Sequence, residues 1–203
     1  MADTLTFYTN PMSRGRIVRW MLEEVGEPYD TELLDYGTTM KAPAYLAINP
    51  MGKVPAIRHG DTVVTECAAI CAYLADAFPA AGLAPPTSLR GAYYRWLFFA
   101  AGPLEAAVTN RTLGFEVPAE RQATAGYGSF DATVDALERA VSTSEYVAGE
   151  SFSAADVYVG SQIGWGLEFE TLPRRPAFER YWSRLAERPA RQRAAAIDDA
   201  ATT

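Results

Sequence analysis

One candidate for a chemical role in this 203-residue sequence is a serine beside the predicted start of a helix. Ser13 follows a short β-prone run and precedes a helical pattern that begins near Arg14. Serine is a preferred N-cap residue, so its hydroxyl could simply bind a backbone N–H group of that helix. A helix N-terminus also stabilises anions, so the hydroxyl could instead donate a hydrogen bond to an anionic ligand. The two roles are compatible only if the hydroxyl leaves the backbone for the ligand.

A second candidate is the segment over residues 49–55, in which Val54 precedes Pro55. The residue before a proline is pushed into an extended conformation. If the peptide bond between the two residues is cis, the N–H and C=O groups of Val54 are left free to pair with an extended peptide ligand. The alternative is an ordinary turn that leads into a strand.

A third candidate is Glu66, which stands before Cys67 at the start of a helical pattern. A carboxylate at this position could simply interact with the helix dipole. Equally, it could bind an ammonium group while the free N–H groups of the first helical turn bind a carboxylate. Together these groups would hold both ends of an α-amino acid.

A fourth motif, over residues 152–157, predicts structure rather than chemistry. Ser153 and Asp156 fit the N-cap and N3 positions of a capping box. Phe152 and Val157 fit the two positions of a hydrophobic staple. We therefore predict that this motif starts a buried helix and has no catalytic role.

The elements that would position these residues fall into two parts. The first part combines four strand patterns with two helical patterns. The strands are expected over residues 5–8, 29–34, 54–57 and 62–64, and the helices over 17–25 and 66–78. The order β-α-β-β-β-α predicts an α+β domain over residues 1–79, with a small mixed sheet covered by helices. Small residues and prolines then predict a linker over residues 80–88.

Beyond the linker, strand patterns are absent, which predicts an all-helical domain over residues 89–203. Its helices are expected over residues 90–107, 119–142, 153–169 and 176–188. The first of them is apolar over most of its circumference, so it should be buried on two sides, and Pro103 should kink it. We expect the alanine-rich tail to be frayed.

The composition argues against several classes of protein. Lys and Arg total 18 while Asp and Glu total 25, which gives a formal net charge of −7. This charge lacks the footprint of a protein that binds nucleic acid or anionic membranes. A single histidine, His59, cannot form a multi-histidine metal site, and the two cysteines, Cys67 and Cys71, lie four residues apart in a helical pattern where a disulfide would fit poorly. We therefore expect a cytoplasmic protein without a metal, a signal peptide or a membrane span.

The motifs, taken in their order and spacing, resemble those of the cytosolic glutathione S-transferases. The segments that carry the resemblance lie over residues 8–26, 49–55, 65–74, 152–156 and 188–190. They span nearly the whole chain. The resemblance implies a thioredoxin-like N-terminal domain, an all-helical C-terminal domain, glutathione as cosubstrate and a homodimer.

The resemblance also implies a glutathione site formed by Lys41, Lys53, Val54, Pro55, Glu66 and Cys67. Val54, before the cis-proline Pro55 of the family, should pair its backbone with the cysteinyl part of glutathione. Glu66 and its neighbour should hold the γ-glutamyl end. The family usually has serine where this chain has Cys67, and a thiol is a weaker donor than a hydroxyl. Lys53 and Lys41 lie where family members place cations near the glycyl carboxylate.

Two hydroxyls are candidates for activating the glutathione thiol. Counted back from Gly26, Ser13 falls at the position of the catalytic serine in theta-like members, and Tyr8 falls at that of the catalytic tyrosine in mu-like and alpha-like members. Lowering a thiol pKa by about two units requires about 2.7 kcal/mol. A hydrogen bond to a charged acceptor supplies about 1.5–3 kcal/mol, so either hydroxyl is sufficient. The helix N-terminus favours Ser13. No cysteine lies in this loop, which argues against a mixed-disulfide mechanism.

The resulting thiolate would attack a small hydrophobic electrophile, which would make the protein a glutathione transferase. The helical faces suggest an electrophile pocket formed by Met12, Tyr94, Phe98, Asn110, Arg111 and Trp165. The helix over residues 90–107 would also suit a dimer interface. One alternative is a glutathione-dependent isomerase or dehalogenase. The other is a non-catalytic member that binds glutathione or regulates a partner.

Overall fold

The computed structural model describes residues 4–202, and the chain divides into two compact units. The first unit comprises the chain up to Leu83 together with the segment from Arg188 onward. The second unit is Ala84–Glu187. The division after Leu83 falls inside the predicted linker. The segment from Arg188 belongs to the first unit, however, and not to the helical domain that we expected over residues 89–203.

A four-stranded mixed sheet forms the centre of the first unit, in the order β2-β1-β3-β4. The strands are β1 (Leu5–Thr9), β2 (Asp30–Leu33), β3 (Ala56–His59) and β4 (Thr62–Thr65). Strand β1 is parallel to β2 and antiparallel to β3, and β3 forms an antiparallel hairpin with β4. The predicted α+β fold class of this part is confirmed.

Helices precede, follow and connect these strands. They are α1 (Gly15–Val25), α2 (Pro43–Leu46), α3 (Cys67–Ala77), α4 (Gly91–Phe99), α5 (Glu105–Thr112), α6 (Phe130–Thr143), α7 (Ala154–Glu168), α8 (Pro176–Ala186) and α9 (Pro189–Ala200). Within the described residues 4–202, no helix is both long enough and apolar enough to cross a membrane.

Alternating residues of β1 face the two sides of the sheet, as a strand requires. Phe7 is fully buried, and the guanidinium of Arg19 from α1 lies 5.0 Å from the centre of its ring. The neighbouring Tyr8 points to the other side, where it packs against a cluster that contains Met40 and Tyr45. Helix α2, which carries Tyr45, was not predicted, because four residues are too few to show a helical period.

Helix α9 packs against α1, so the expectation of a frayed tail is wrong. Arg19 and Asp198 form an ion pair with Nε and Oδ1 2.8 Å apart, and their side chains are only 3% and 1% exposed. Arg188 adds a bidentate pair, with Nε and Nη2 lying 2.6 and 2.8 Å from the two carboxylate oxygens of Glu24. Ion pairs between charged side chains thus connect this helix to α1. An alanine-rich composition does not predict such pairs.

Helix α7 is buried along most of its length in the helical unit, and the predicted capping box is present at its start. Asp156 accepts the backbone N–H of Ser153 at 2.9 Å and the backbone N–H of Val147 at 2.7 Å. The hydroxyl of Tyr181 donates to the same carboxylate at 2.7 Å. Burial raises the pKa of this carboxyl, while these donors act in the opposite direction. The motif therefore joins the start of α7 to a loop and to α8.

Two predicted helices of this unit differ from the structure. The helix expected over residues 90–107 is divided into α4 and α5 by a π-helical turn, Ala100–Leu104, that contains Pro103. The helix expected over residues 119–142 begins only at Phe130, because Ser129 caps it and Gly126 and Gly128 precede the cap. Only a short 3-10 turn, Ala119–Arg121, lies in the earlier part.

Candidate functional site

The hydroxyl of Ser13 makes two hydrogen bonds within its own loop. Its Oγ donates to the carbonyl of Asn10 at 2.6 Å and accepts the backbone N–H of Gly15 at 2.9 Å. The hydroxyl therefore binds the backbone at the helix start, although the N-cap of α1 is Arg14 rather than the predicted Ser13. Rotation of the O–H about the Cβ–Oγ bond would exchange the carbonyl of Asn10 for another acceptor and leave the bond from Gly15 in place.

The loop around Ser13 is held by side chains on both sides. Asn10 donates from Nδ2 to the carbonyl of Leu34 at 2.8 Å and accepts the N–H of Met12 at 2.9 Å. The hydroxyl of Tyr36 donates to the carbonyl of Met12 at 3.2 Å. At Gly15, any side chain would collide with the hydroxyl of Thr9. The loop thus packs directly on the end of β1.

The side chain of Tyr8, the other candidate for thiol activation, lies on the face of the sheet opposite to α1. It is half-buried, and its ring centre is 5.7 Å from that of Tyr45. Val54 packs against the same cluster. The side chain of Tyr8 therefore has a packing role beside the strand entry, whereas Ser13 lies at the start of a helix.

The peptide bond between Val54 and Pro55 is cis, as one of the two readings of this segment required. Within residues 4–202, the backbone N–H and C=O of Val54 make no hydrogen bond. The preceding carbonyl, of Lys53, instead accepts the hydroxyl of Tyr45 at 2.6 Å and Nδ2 of Asn49 at 2.8 Å. Burial raises the pKa of Tyr45 to about 12, so this hydroxyl remains a donor. The segment therefore presents one unpaired residue of backbone beside a fixed turn.

The ammonium group of Lys41 is bound to the backbone of this turn. It donates to the carbonyls of Met51 and Gly52 at 3.1 and 2.8 Å. An ammonium has three donors, so one remains for a further acceptor. Gly52 has φ +56°, and a Cβ there would lie 2.9 Å from the lysine Nζ. Lys53 is exposed one residue further along.

Glu66 has an unusual backbone conformation, with φ 66° and ψ 118°. Such a conformation costs a non-glycine residue about 1–3 kcal/mol, and strained residues of this kind concentrate at functional sites. Its side chain is exposed. In α3, the first intrahelical bond runs from the N–H of Ile70 to the carbonyl of Glu66 at 2.9 Å, so the N–H groups of Ala68 and Ala69 are not used by the helix.

Cys67 follows Glu66 and is buried, with its thiol directed at α1. Its Sγ lies 3.6 Å from the carbonyl of Arg14, to which it donates. The thiol thus joins the start of α3 to the start of α1. A contact of this side chain with a ligand would require the thiol to leave that carbonyl.

The residues predicted for an electrophile pocket are distributed over four elements. Met12 is 73% exposed in the Ser13 loop, and Phe98 is 71% exposed on α4, one turn after Tyr94. Three of the others have partners outside the predicted set. The hydroxyl of Tyr94 accepts a hydrogen bond from Arg90, the amide of Asn110 donates one to Tyr127, and the guanidinium of Arg111 lies over the ring of Phe130. Trp165 is half-buried in α7. The pocket itself stays a prediction. Tyr94 and Phe98 are exposed, whereas Tyr93, Trp96 and Leu97 of the same helix are buried.

A metal site finds no support in the described part of the chain, residues 4–202, since no group of three or more His, Cys, Asp or Glu side chains could hold an ion there.

Comparisons with known proteins identify the family to which the chain belongs. The N-terminal domain of glutathione S-transferases matches residues 12–77, and the C-terminal domain of the same proteins matches residues 119–189. Glutathione S-transferase GstA of Escherichia coli is 31% identical over 71% of this chain and 73% of its own length. Glutathione S-transferase 3 of Zea mays is 28% identical over 95% of this chain and 93% of its own length.

Solved structures show the same similarity. A glutathione transferase from Methylococcus capsulatus superposes with a TM-score of 0.79, at 28% identity, over 97% of this chain and 99% of its own. A sphingomonad glutathione S-transferase, solved in complex with glutathione, superposes with a TM-score of 0.77, at 27% identity, over 96% and 98% of the two chains. This protein belongs to the glutathione S-transferase family. The resemblance found in the sequence is confirmed, while the serine-type assignment stays a prediction.

Proposed function

We propose that this chain, a glutathione transferase by its family, binds glutathione at one edge of its sheet and activates the thiol with Ser13. The observation that carries the proposal is the register of the strands. Tyr8, Ala56 and Thr65 lie opposite one another on β1, β3 and β4. The Ser13 loop follows the end of β1, Val54 precedes β3 and Glu66 follows β4. The three candidates from the sequence thus come to the same edge.

Glutathione has groups that match this edge. An extended cysteinyl residue would pair its backbone with Val54, whose N–H and C=O make no other bond in residues 4–202. The γ-glutamyl ammonium would bind the carboxylate of Glu66, and its carboxylate would bind the unused N–H groups at the start of α3. The glycyl carboxylate would bind the remaining donor of Lys41, with Lys53 nearby.

Thiol activation would then follow from the chemistry of the Ser13 hydroxyl. The N–H of Gly15 donates to its Oγ, which polarises the O–H and strengthens it as a donor. Turned towards a thiolate, the O–H would supply a hydrogen bond to a charged acceptor, worth about 1.5–3 kcal/mol. The N-terminus of α1 adds about 0.3–1 kcal/mol. Together these lower a thiol pKa by about two units, so that a thiolate exists at neutral pH.

Substitution of Glu66 tests the γ-glutamyl contact and the strained backbone separately. Glu66→Ala and Glu66→Gly should each weaken glutathione binding about tenfold or more, since both remove a charged partner of an ammonium. Only Glu66→Gly should raise the free energy of unfolding, by about 1 kcal/mol, because glycine adopts φ 66° without a steric cost. Calorimetric titration with glutathione and urea denaturation measure the two effects. Unchanged affinity of Glu66→Ala would contradict the assigned contact.

The activity as a whole is tested by titrating the protein with glutathione while the ultraviolet thiolate band of the ligand is recorded against pH. A bound thiolate at neutral pH supports transfer to a small hydrophobic electrophile. Binding without a thiolate would favour a non-catalytic glutathione-binding protein. The same thiolate would serve a glutathione-dependent isomerase or dehalogenase. The fate of glutathione separates these activities, because an isomerase returns it unchanged, a transferase leaves it as a stable thioether conjugate, and a dehalogenase releases halide without leaving such a conjugate.

We also propose a cytoplasmic homodimer. The cytosol holds the glutathione that the reaction consumes, and it keeps thiols such as Cys67 and Cys71 reduced. For the dimer, the support is the pair of exposed aromatic side chains, Tyr94 and Phe98, one turn apart on α4.

Light scattering should therefore give a solution mass of about twice 22.1 kDa at micromolar concentration. Phe98→Glu should shift the protein towards 22.1 kDa, because a charge would be buried in the interface. Phe169, which is also exposed in the helical unit but lies beyond the end of α7, provides the matched control, and Phe169→Glu should leave the mass unchanged. A mass near that of one chain for the unmodified protein would refute the dimer.

A further inference from the structure

Arg16 connects the loop that carries Ser13 to helix α9. Its Nε donates to the carbonyl of Pro11 at 2.5 Å, and its Nη1 lies 2.7 Å from Oδ1 of Asp199. One guanidinium thus binds a loop carbonyl and a carboxylate of α9 at the same time. Because a guanidinium is planar and its donors are fixed relative to one another, the position of Asp199 influences where the donor to Pro11 lies.

The hydrogen bond to the carbonyl of Pro11 influences the backbone conformation of this loop. The proline ring fixes φ of Pro11, so the bond from Arg16 to its carbonyl fixes the remaining backbone angle, ψ. Together they set the direction in which the chain enters Met12 and then Ser13. The carbonyls on either side are bound as well, that of Asn10 by Ser13 and that of Met12 by Tyr36. Among these three carbonyls, only that of Pro11 is held by a charged group.

Helix α9 offers Arg16 a fixed partner. Asp198, beside Asp199, forms the buried ion pair with Arg19 of α1. The bidentate pair between Arg188 and Glu24 binds the start of the same helix to α1. Asp199 is itself 66% exposed, and an exposed ion pair contributes little to stability, about 0–1 kcal/mol. The pair between Arg16 and Asp199 is therefore better suited to orient a group than to stabilise the fold.

We propose that Arg16 is a positioning residue for thiol activation and that Asp199 of α9 orients its guanidinium. This inference rests on the proposed role of Ser13 as the donor to the thiol. It adds that α9, which carries none of the residues proposed to bind glutathione, helps to set the pKa of the bound thiol. The two bonds of Arg16, from Nε to Pro11 and from Nη1 to Asp199, connect it to the backbone of the loop, and we infer that it acts through that backbone.

A direct electrostatic effect of Arg16 on the thiolate makes the opposite prediction for one variant. Asp199→Asn removes a negative charge, so direct electrostatics would lower the pKa of the bound thiol. If Arg16 instead positions the loop, loss of its partner loosens the guanidinium, and the thiol pKa rises. The sign of the shift therefore separates the two explanations.

The experiment is a thiolate titration of bound glutathione, by its ultraviolet band, for Arg16→Met, Arg16→Lys and Asp199→Asn. Arg16→Met should raise the thiol pKa by about 0.5–1 unit and lower kcat/KM at neutral pH by about 1.5- to threefold. Asp199→Asn should raise the pKa by a smaller amount. Arg16→Lys should fall between, because lysine keeps the charge but lacks the fixed pair of donors.

Arg193→Met is the matched control. Arg193 also joins α9 to α1, with Nε 3.0 Å from the carboxylate of Glu23, but it makes no contact with the Ser13 loop. It should leave the thiol pKa unchanged. A rise in Arg193→Met as large as that in Arg16→Met would show a general loss of helix packing and overturn the proposal.

Ser13→Ala, measured alongside, separates failure of this inference from failure of the proposed function. A raised pKa in Ser13→Ala with no change in Arg16→Met overturns only the positioning role. A raised pKa in Arg16→Met with none in Ser13→Ala overturns the route through Ser13. A lowered pKa in Asp199→Asn overturns positioning in favour of direct electrostatics.

Discussion

Ser13→Ala is expected to raise the pKa of the bound glutathione thiol by about 1–2 units, because it removes a hydrogen bond to a charged acceptor. From a thiol pKa of about 6.5, such a rise lowers the thiolate fraction at pH 7, and with it kcat/KM, by about 3- to 25-fold. The pH profile of kcat/KM and the ultraviolet titration of the bound thiol should give the same shifted pKa. Glutathione affinity should change little at a pH where the thiol is protonated in both proteins.

Two further variants make this result specific to the hydroxyl. Ser13→Thr keeps a hydroxyl on the same loop and should retain most of the activity. Tyr8→Phe removes the other candidate hydroxyl and should leave the thiol pKa unchanged, since the ring of Tyr8 packs against the Met40 and Tyr45 cluster with or without its oxygen. The opposite pattern, a shift in Tyr8→Phe and none in Ser13→Ala, would assign activation to Tyr8.

Ser13→Ala also has an expected cost in stability. The N–H of Gly15 loses its acceptor, which for a helix start costs about 1 kcal/mol. Urea denaturation should show this loss. The loss is too small to unfold a protein of ordinary stability, so the kinetic effect can be measured on folded enzyme.

The largest expected effect on stability belongs to Asp156→Ala. The substitution leaves the backbone N–H groups of Val147 and Ser153 and the hydroxyl of Tyr181 without their acceptor in a buried place. Each lost partner of this kind costs about 1–3 kcal/mol, so the free energy of unfolding should fall by about 3–5 kcal/mol. Urea denaturation followed by circular dichroism measures it.

Ser129→Ala is the matched control for Asp156→Ala. Ser129 caps α6 with a single bond, from the N–H of Ala132 to Oγ at 3.2 Å, and its loss should cost about 1 kcal/mol. If Asp156→Ala does not fold, Tyr181→Phe removes only one donor to the carboxylate and should cost about 1 kcal/mol. A loss in Asp156→Ala no greater than that in Ser129→Ala would show that the carboxylate does not join these elements as described.

Much of the first unit could be predicted because its signals are local. Gly26 ends α1 in the left-handed conformation, and the β-prone run over residues 5–8 predicts β1. The capping box before α7 could also be predicted, since Ser153 and Asp156 stand at a spacing that few other structures use. These features depend on residues within one turn or one strand of each other.

Features that depend on distant partners could not be predicted. Helix α9 is bound to α1 by the pair of Arg19 and Asp198, which are 179 residues apart in sequence, so the alanine-rich composition alone predicts a frayed tail. The thiol of Cys67 turned out to bind the carbonyl of Arg14, a contact that no local pattern indicates. The direction of the Ser13 hydroxyl could not be predicted for a different reason. Its acceptor, the carbonyl of Asn10, is close in sequence, but the conformation of the loop determines where that carbonyl lies.

The return of α9 to the first unit has a consequence for the order in which the protein folds during synthesis. A ribosome that has released the sheet and the whole of Ala84–Glu187 has not yet released Asp198, the partner of buried Arg19. Until α9 is present, Arg19 lacks this partner and α1 lacks the helix that packs against it, so the nascent first unit is less stable at that stage. Domains generally fold as units while the chain is being made. Here the unit that is translated first is completed last, after the helical unit, whose residues lie between its two segments in the sequence.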